Sequence, residues 1–463
     1  MLVLLIIIAY MKAYLISSPR FWSWVGHVCG RRRVYFLLYY SKSAPVSETL
    51  DLRPTLPTVV AYGESLAPDP PAPEDEDHLV GALKQSDLFI FISFTVTNSL
   101  LKRLSAIERP FSGLEGLIFQ SRDSVGVTVP SAFPWGPHLF HRLPSTGVAS
   151  FPALLQPLCS PRIIVELELH ITLNSSHLSP GVVTQALTNA LSGMVQLQSL
   201  SLHFLSDAHS LCPPPPSVER YVLPVLSHLN FWGNTEYLED LVTRIDAPRL
   251  VHIRVTMSNI ITLNLSKLSE FIDRIGMHKS HRRAFIRSSK RAISLSLIQP
   301  GTSTYLKLQV SCKPFSKQLS FMAQIGLHFS AFLANVEDLR VSARRVGRPP
   351  SGQVDSDRKQ WRGLFYQFGG TKWLHVAGDH STNMVRALQP PDGGAEIALP
   401  SLHKLYILHP GPSHAPSREA VVSFMASRWL SGHPITVEYG RLCRISEPHG
   451  AGTMCPSANA TPR

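Results

Sequence analysis

One local pattern constrains the fold of this chain more than any other feature: an apolar residue, two of any kind, an apolar residue, one of any kind, an apolar residue. It appears at Leu114, Leu117, Phe119; at Ile164, Leu167, Leu169; at Leu197, Leu200, Leu202; and at Leu226, Leu229, Phe231. It returns at Leu250, Ile253, Val255; at Val336, Leu339, Val341; and at Leu402, Leu405, Ile407, with a weaker copy at Thr371, Leu374, Val376. Successive first positions are separated by 50, 33, 29, 24, 86, 35 and 31 residues. In an extended chain alternate side chains share a face, so the last two apolar positions of each triad point together into a core and the residue between them points away. Repeated at such a period, the triad is the core strand of a leucine-rich repeat.

Each strand then needs a return path, and helical spacing supplies one. Val183, Leu187, Ala190 and Leu191 share one helix face, as do Leu238, Leu241, Val242 and Ile245, and a third such face is expected from Val421, Val422, Met425 and Trp429. A strand with its helix buries its apolar face only against its neighbours. The expected fold is therefore α/β, a divergent leucine-rich-repeat solenoid (horseshoe) with a concave parallel sheet and helices on the convex side. The residues between the last two apolar positions should form its concave binding face: Ile118, Glu168, Ser201, Asn230, Arg254, Arg340, His375 and Tyr406. The step of 50 residues is expected to hide a unit around Leu139 and Leu143. The step of 86 holds Leu295 and Leu297, then Leu306, Leu308 and Val310, too close together for full repeats, which predicts a hairpin or insertion.

At 463 residues the chain exceeds what one core usually supports. With 44% hydrophobic and 16% charged residues it is too apolar and too weakly charged for a mostly disordered chain. Residues 1–42 read as an apolar and basic leader, and 43–85 as a linker with the acidic loop Glu74, Asp75, Glu76, Asp77. Residues 86–441 read as the leucine-rich-repeat-like domain and 442–463 as a disordered tail. Pro213 to Pro216 suit a stiff surface loop, with a ligand for a proline-binding module as the functional alternative. In the leader, Met1 opens an apolar run, Ile16 closes it and Lys12 interrupts it. It lacks a basic flank and a small-residue cleavage site, and its uninterrupted part falls short of the roughly 20 residues a spanning helix needs. Snorkelling by Lys12 leaves membrane attachment open as an alternative.

The net charge of +12 would draw acidic partners, and the densest basic stretch is Lys279, Arg282, Arg283, Arg287, Lys290 and Arg291, with a smaller one at Arg344, Arg345 and Arg348. Only Phe285 interleaves as a stacking platform, so nucleic acid is not the expected partner. The six cysteines are far apart and none shows zinc or redox spacing, which suits a reducing compartment, cytoplasm or nucleus. Metalloprotease, serine-hydrolase and nucleotide-binding motifs are all missing. No enzyme activity, catalytic residue or cofactor is expected. His138 with His141, and His278 with His281, lack carboxylate or thiolate partners in the sequence. The group His203, Asp207, His209, Cys212 comes nearer to a metal set, but it follows a strand where loops are polar anyway, and no metal is expected there. Trp232, Trp361 and Trp373 suit partner anchors and packing equally.

Several segments carry a more specific likeness: residues 43–60, 79–88 and 97–117, and above all 222–250, 307–325 and 427–441. Over about Ser43 to Arg441, and most specifically in the block from Tyr237 to Leu250, the chain resembles leucine-rich-repeat F-box-type proteins of mushroom-forming fungi. That resemblance implies a protein-interaction role like the substrate-recognition part of an F-box subunit of a cullin-RING ubiquitin ligase, without cofactor and with unknown protein substrates. The F-box of such proteins docks on the ligase adaptor. Its usual opening, Leu-Pro then Glu and an amphipathic helix, is absent here, and only Ser17-Ser18-Pro19-Arg20 resembles its end. The alternatives are an F-box-less paralogue without a ligase role, a leader that is truncated or non-native, and a membrane-tethered leucine-rich-repeat scaffold.

Overall fold

The computed structural model describes strands at 24–27, 34–39, 58–62, 89–96 and 116–121 with isolated residues between them. From there it describes 164–173, 180–206, 220–258, 263–277, 281–301, 304–312, 315–343, 353–378, 381–389, 397–409 and 418–441. The strands begin with β1 (Trp24–His27), β2 (Val34–Tyr39), β3 (Thr58–Tyr62), β4 (Phe89–Val96), β5 (Gly116–Ser121), β6 (Glu166–Leu173) and β7 (Ser199–Ser206). They continue with β8 (Tyr221–Val222), β9 (His228–Gly233), β10 (Ile245–Asp246), β11 (His252–Met257), β12 (Arg283–Ser288), β13 (Ala292–Ile298) and β14 (Tyr305–Ser311). The last are β15 (Asp338–Ala343), β16 (Trp373–Gly378), β17 (Lys404–His409) and β18 (Thr436–Arg441).

All but β8 and β10, which form their own small ribbon, join one sheet in the order β1-β2-β3-β4-β5-β6-β7-β9-β11-β14-β13-β12-β15-β16-β17-β18. Among these neighbours only β1 with β2, β12 with β13 and β13 with β14 run antiparallel, and the sheet is not closed into a barrel. The molecule is thus a mixed α/β structure built on a mostly parallel sheet.

Eight helices are described: α1 (Pro180–Leu191), α2 (Thr235–Arg244), α3 (Ser266–Arg274), α4 (Phe315–His328), α5 (Ser330–Leu333), α6 (Gln353–Tyr366), α7 (Ser381–Ala387) and α8 (Arg418–Leu430). The described triad side chains are buried, and with the predicted faces of α1 and α2 they form one continuous core. Burial alternates along β9 and β11, as it must where one sheet face meets helices and the other does not. Thr371 takes an apolar position because its hydroxyl donates to the Val336 carbonyl at 3.1 Å, tying one triad to the next.

Neighbouring helices also satisfy each other's ends. Glu239 on α2 accepts from the backbone N–H groups of Lys267 (2.8 Å) and Leu268 (2.9 Å) at the start of α3. Arg274 on α3 donates to the Val242 and Ile245 carbonyls at the end of α2, and Arg362 on α6 to that of Ala387 at the end of α7. Arg428, buried in α8, donates to the carbonyls of Leu399 and Leu402 ahead of β17.

The unit expected around Leu139 and Leu143 lies outside the described residues; β5 hydrogen-bonds directly to β6. Two expectations change. The insertion expected in the 86-residue step exists, but it holds three strands without the full triad, and the first of them, β12, carries the sheet across to β15. On α8 the buried face is Ala420, Val421, Phe424 and Arg428, while Val422, Met425 and Trp429 are exposed. Among the described helices, α7 packs on that helix. The sheet also reaches into the stretches read as leader and linker, through β1, β2 and β3. The tail after 441 lies outside the described residues.

Candidate protein-binding face

The helix-free face of the sheet is assembled by strand pairing alone. Register places Ile118 beside Glu168, Glu168 beside Ser201, Ser201 beside Asn230 and Asn230 beside Arg254. Beyond the insertion it places Arg340 beside His375 and His375 beside Tyr406. The residues singled out from the triads therefore occupy a single cross-strand row, broken once. The insertion closes that break with Lys307, Ser296 and Phe285, and β18 extends the row with Glu438. Sequence reasoning missed these four because their strands lack the triad. For Lys307 the alternation of Leu306, Leu308 and Val310 was the available signal.

The half of the row after the insertion is a connected set of contacts. Asp338 pairs with Arg283 at 2.9 Å and with Arg340 at 3.2 Å, and the His375 Nε2 lies 3.4 Å from its other oxygen. The Arg340 guanidinium sits over the Phe285 ring at 5.4 Å. His375 stacks on Tyr406 with centroids 4.3 Å apart, and Lys404 lies over the Tyr406 ring and 2.7 Å from Glu438. Burial pushes the His375 imidazole down to about 4; Asp338 opposes that and the two guanidiniums reinforce it. The hydrogen bond to Glu438 raises Lys404.

The other half is built on imidazoles. His170 and Glu168, two apart on β6, share this face, and His203 on β7 stands opposite His170. The His170 Nε2 is 2.8 Å and the His203 Nε2 3.7 Å from the same Glu168 oxygen. The two rings stack at 4.1 Å, and the Trp232 ring meets His203 edge-on. The hydrogen bond from His170 lowers Glu168, and burial lowers His203. One strand further, His228 and His252 stack at 4.4 Å. The metal group weighed from sequence shared only His203 with this cluster, since Asp207, His209 and Cys212 lie outside the described residues. Aligning the triads of β6 and β7 would have set His170 beside His203; the contact of both with Glu168 is visible only in the structure.

The tryptophans divide: Trp361 is in the core on α6, Trp373 is exposed at the start of β16, and Trp232 borders His203. Of the basic stretch, Arg283 is committed to Asp338, and Arg282 lies 3.9 Å from Glu337. Lys279, Arg344, Arg345 and Arg348 lie outside the described residues, as do residues 1–16. Among the described residues no helix is long and apolar enough to cross a membrane. No protein-family model matches the chain, and no curated protein sequence matches it.

Proposed function

We propose that this chain is a divergent leucine-rich-repeat solenoid whose helix-free sheet face is its concave, protein-binding surface. Its role is that of the substrate-recognition part of an F-box subunit of a cullin-RING ubiquitin ligase, acting in cytoplasm or nucleus without a cofactor. The observation that carries the protein-binding reading is the run Phe285, Arg340, Asp338, His375, Tyr406, Lys404. It joins an arginine and aromatic rings, the side chains that dominate interface hot spots. Their mutual contacts hold them before any partner arrives, which reduces the ordering cost of binding. The ligase assignment rests on the family resemblance in the repeat segments.

The test is an affinity capture from fungal lysate with the full chain and with an Arg340→Ala/Tyr406→Ala variant, read by mass spectrometry. Partners retained by the wild type and lost by the variant support the interaction face. Adaptor and cullin recovered with both would place ligase docking elsewhere on the chain. A set of partners identical for the two proteins would remove the face as the binding surface.

A further inference from the structure

Glu168, His170 and His203 form a chemical group that protein recognition does not require. Positions 168 and 170 project from the same face of β6, and His203 projects beside them from the parallel neighbour β7. This arrangement places two donors from one strand and one from the next around a common point. One donor atom from each residue lies within 4.8 Å of the other two, and each residue is half-buried. The set is one carboxylate and two imidazoles, the ligand type of three-donor zinc sites that keep a fourth position open.

We propose that these three side chains bind one zinc ion on the helix-free face. Tetrahedral coordination at about 2.0–2.2 Å from each ligand places donor atoms about 3.3–3.5 Å apart. The separation of 3.7 Å between His203 and Glu168 is already close to that, and the 2.8 Å hydrogen bond between His170 and Glu168 has to open only slightly. Zinc then takes the place of the shared proton, and His170 carries its hydrogen on Nδ1. The His170 and His203 rings stack nearly parallel, so zinc binding requires them to turn until both Nε2 lone pairs point at the ion, with the Trp232 edge contact bordering His203 on its other side.

Among the described residues the buried His203 Nδ1 has no hydrogen-bond partner. A missing outer partner lowers metal affinity by about 10–100-fold, so the site should bind zinc more weakly by that factor than a three-ligand site with a complete outer layer. The fourth position opens on the same face as the sheet's polar side chains, where water or a donor from another molecule completes the shell. The zinc site stands whether or not that face also recognises a protein.

The test uses the full chain under reducing conditions, with zinc titrated against a chromophoric chelator and cobalt as a spectroscopic substitute. Wild type should take up one more equivalent than His170→Ala or His203→Ala and show visible cobalt bands that both variants lack. Glu168→Gln preserves side-chain shape and should weaken zinc at least tenfold while leaving the circular dichroism spectrum unchanged. His228→Ala/His252→Ala removes a stacked imidazole pair from the same sheet and should leave zinc uptake unaltered. Equal stoichiometry and affinity in wild type, His203→Ala and Glu168→Gln would overturn the proposal, as would an equal loss in the His228→Ala/His252→Ala protein.

Discussion

The pair Asp240 and Arg244 on α2 tests how the helical layer is held together. Its side chains are 2% and 3% exposed, and the Arg244 Nε donates to Asp240 at 2.9 Å. The Thr184 hydroxyl on α1 also donates to Asp240, and Arg244 donates to Gln185, so the pair joins two successive helices. Asp240→Ala would leave a buried guanidinium whose Nη2 has no acceptor among the described residues. Removing one member of a buried ion pair costs about 3–5 kcal/mol, because the remaining charge is uncompensated. Replacing both removes that charge, so Asp240→Ala/Arg244→Met should cost at least about 2 kcal/mol less than Asp240→Ala alone. Urea unfolding followed by circular dichroism gives the comparison. Hydrogen exchange at the α1 and α2 amides separates local opening from global unfolding, since stacked units can lose cooperativity. An Asp240→Ala cost below about 1 kcal/mol would mean that water reaches the guanidinium. A double variant as unstable as Asp240→Ala would assign the loss to the bonds with Thr184 and Gln185 and refute the charge argument.

Other perturbations follow from single environments. His375 stays neutral in the fold down to about pH 4, whereas the unfolded imidazole takes its proton near 6.5. Its contribution to stability is full above pH 6.5 and is lost as pH falls toward 4, by up to about 3 kcal/mol; His375→Gln should flatten that part of the curve. Equal pH slopes for wild type and variant would contradict this. Gly378 ends β16 at φ +94, where an added Cβ would stand 2.2 Å from the Ala343 carbonyl oxygen. Gly378→Ala should destabilise by about 1–3 kcal/mol in urea unfolding, and an unchanged midpoint would refute the strain. On α8, Phe424→Ala should cost about 3–5 kcal/mol, and Trp429→Gln should stay within about 0.5 kcal/mol. Comparable melting temperatures for the two variants would place Trp429 against the core instead.

Local spacing by itself determined where the triad-bearing strands run, which of their residues enter the core, and which residues between them lie along one row of the helix-free face. Those features follow from side-chain periods of 2 and 3.6, which any segment carries without reference to distant segments. The row from Glu168 to Arg254 and the three neighbours Arg340, His375 and Tyr406 needed nothing more than aligned triads. Tertiary structure alone decided what happens between segments. It set β5 directly against β6, ordered the sheet as β11, β14, β13, β12, β15, and so delivered Arg283 to Asp338 across 55 residues of sequence. Aligned triads already pair positions 170 and 203, but only the tertiary structure brought both imidazoles to one Glu168 oxygen. It also separated the two sides of α8, because an apolar helix face is buried only where a neighbouring unit packs on it, and among the described helices α7 supplies one.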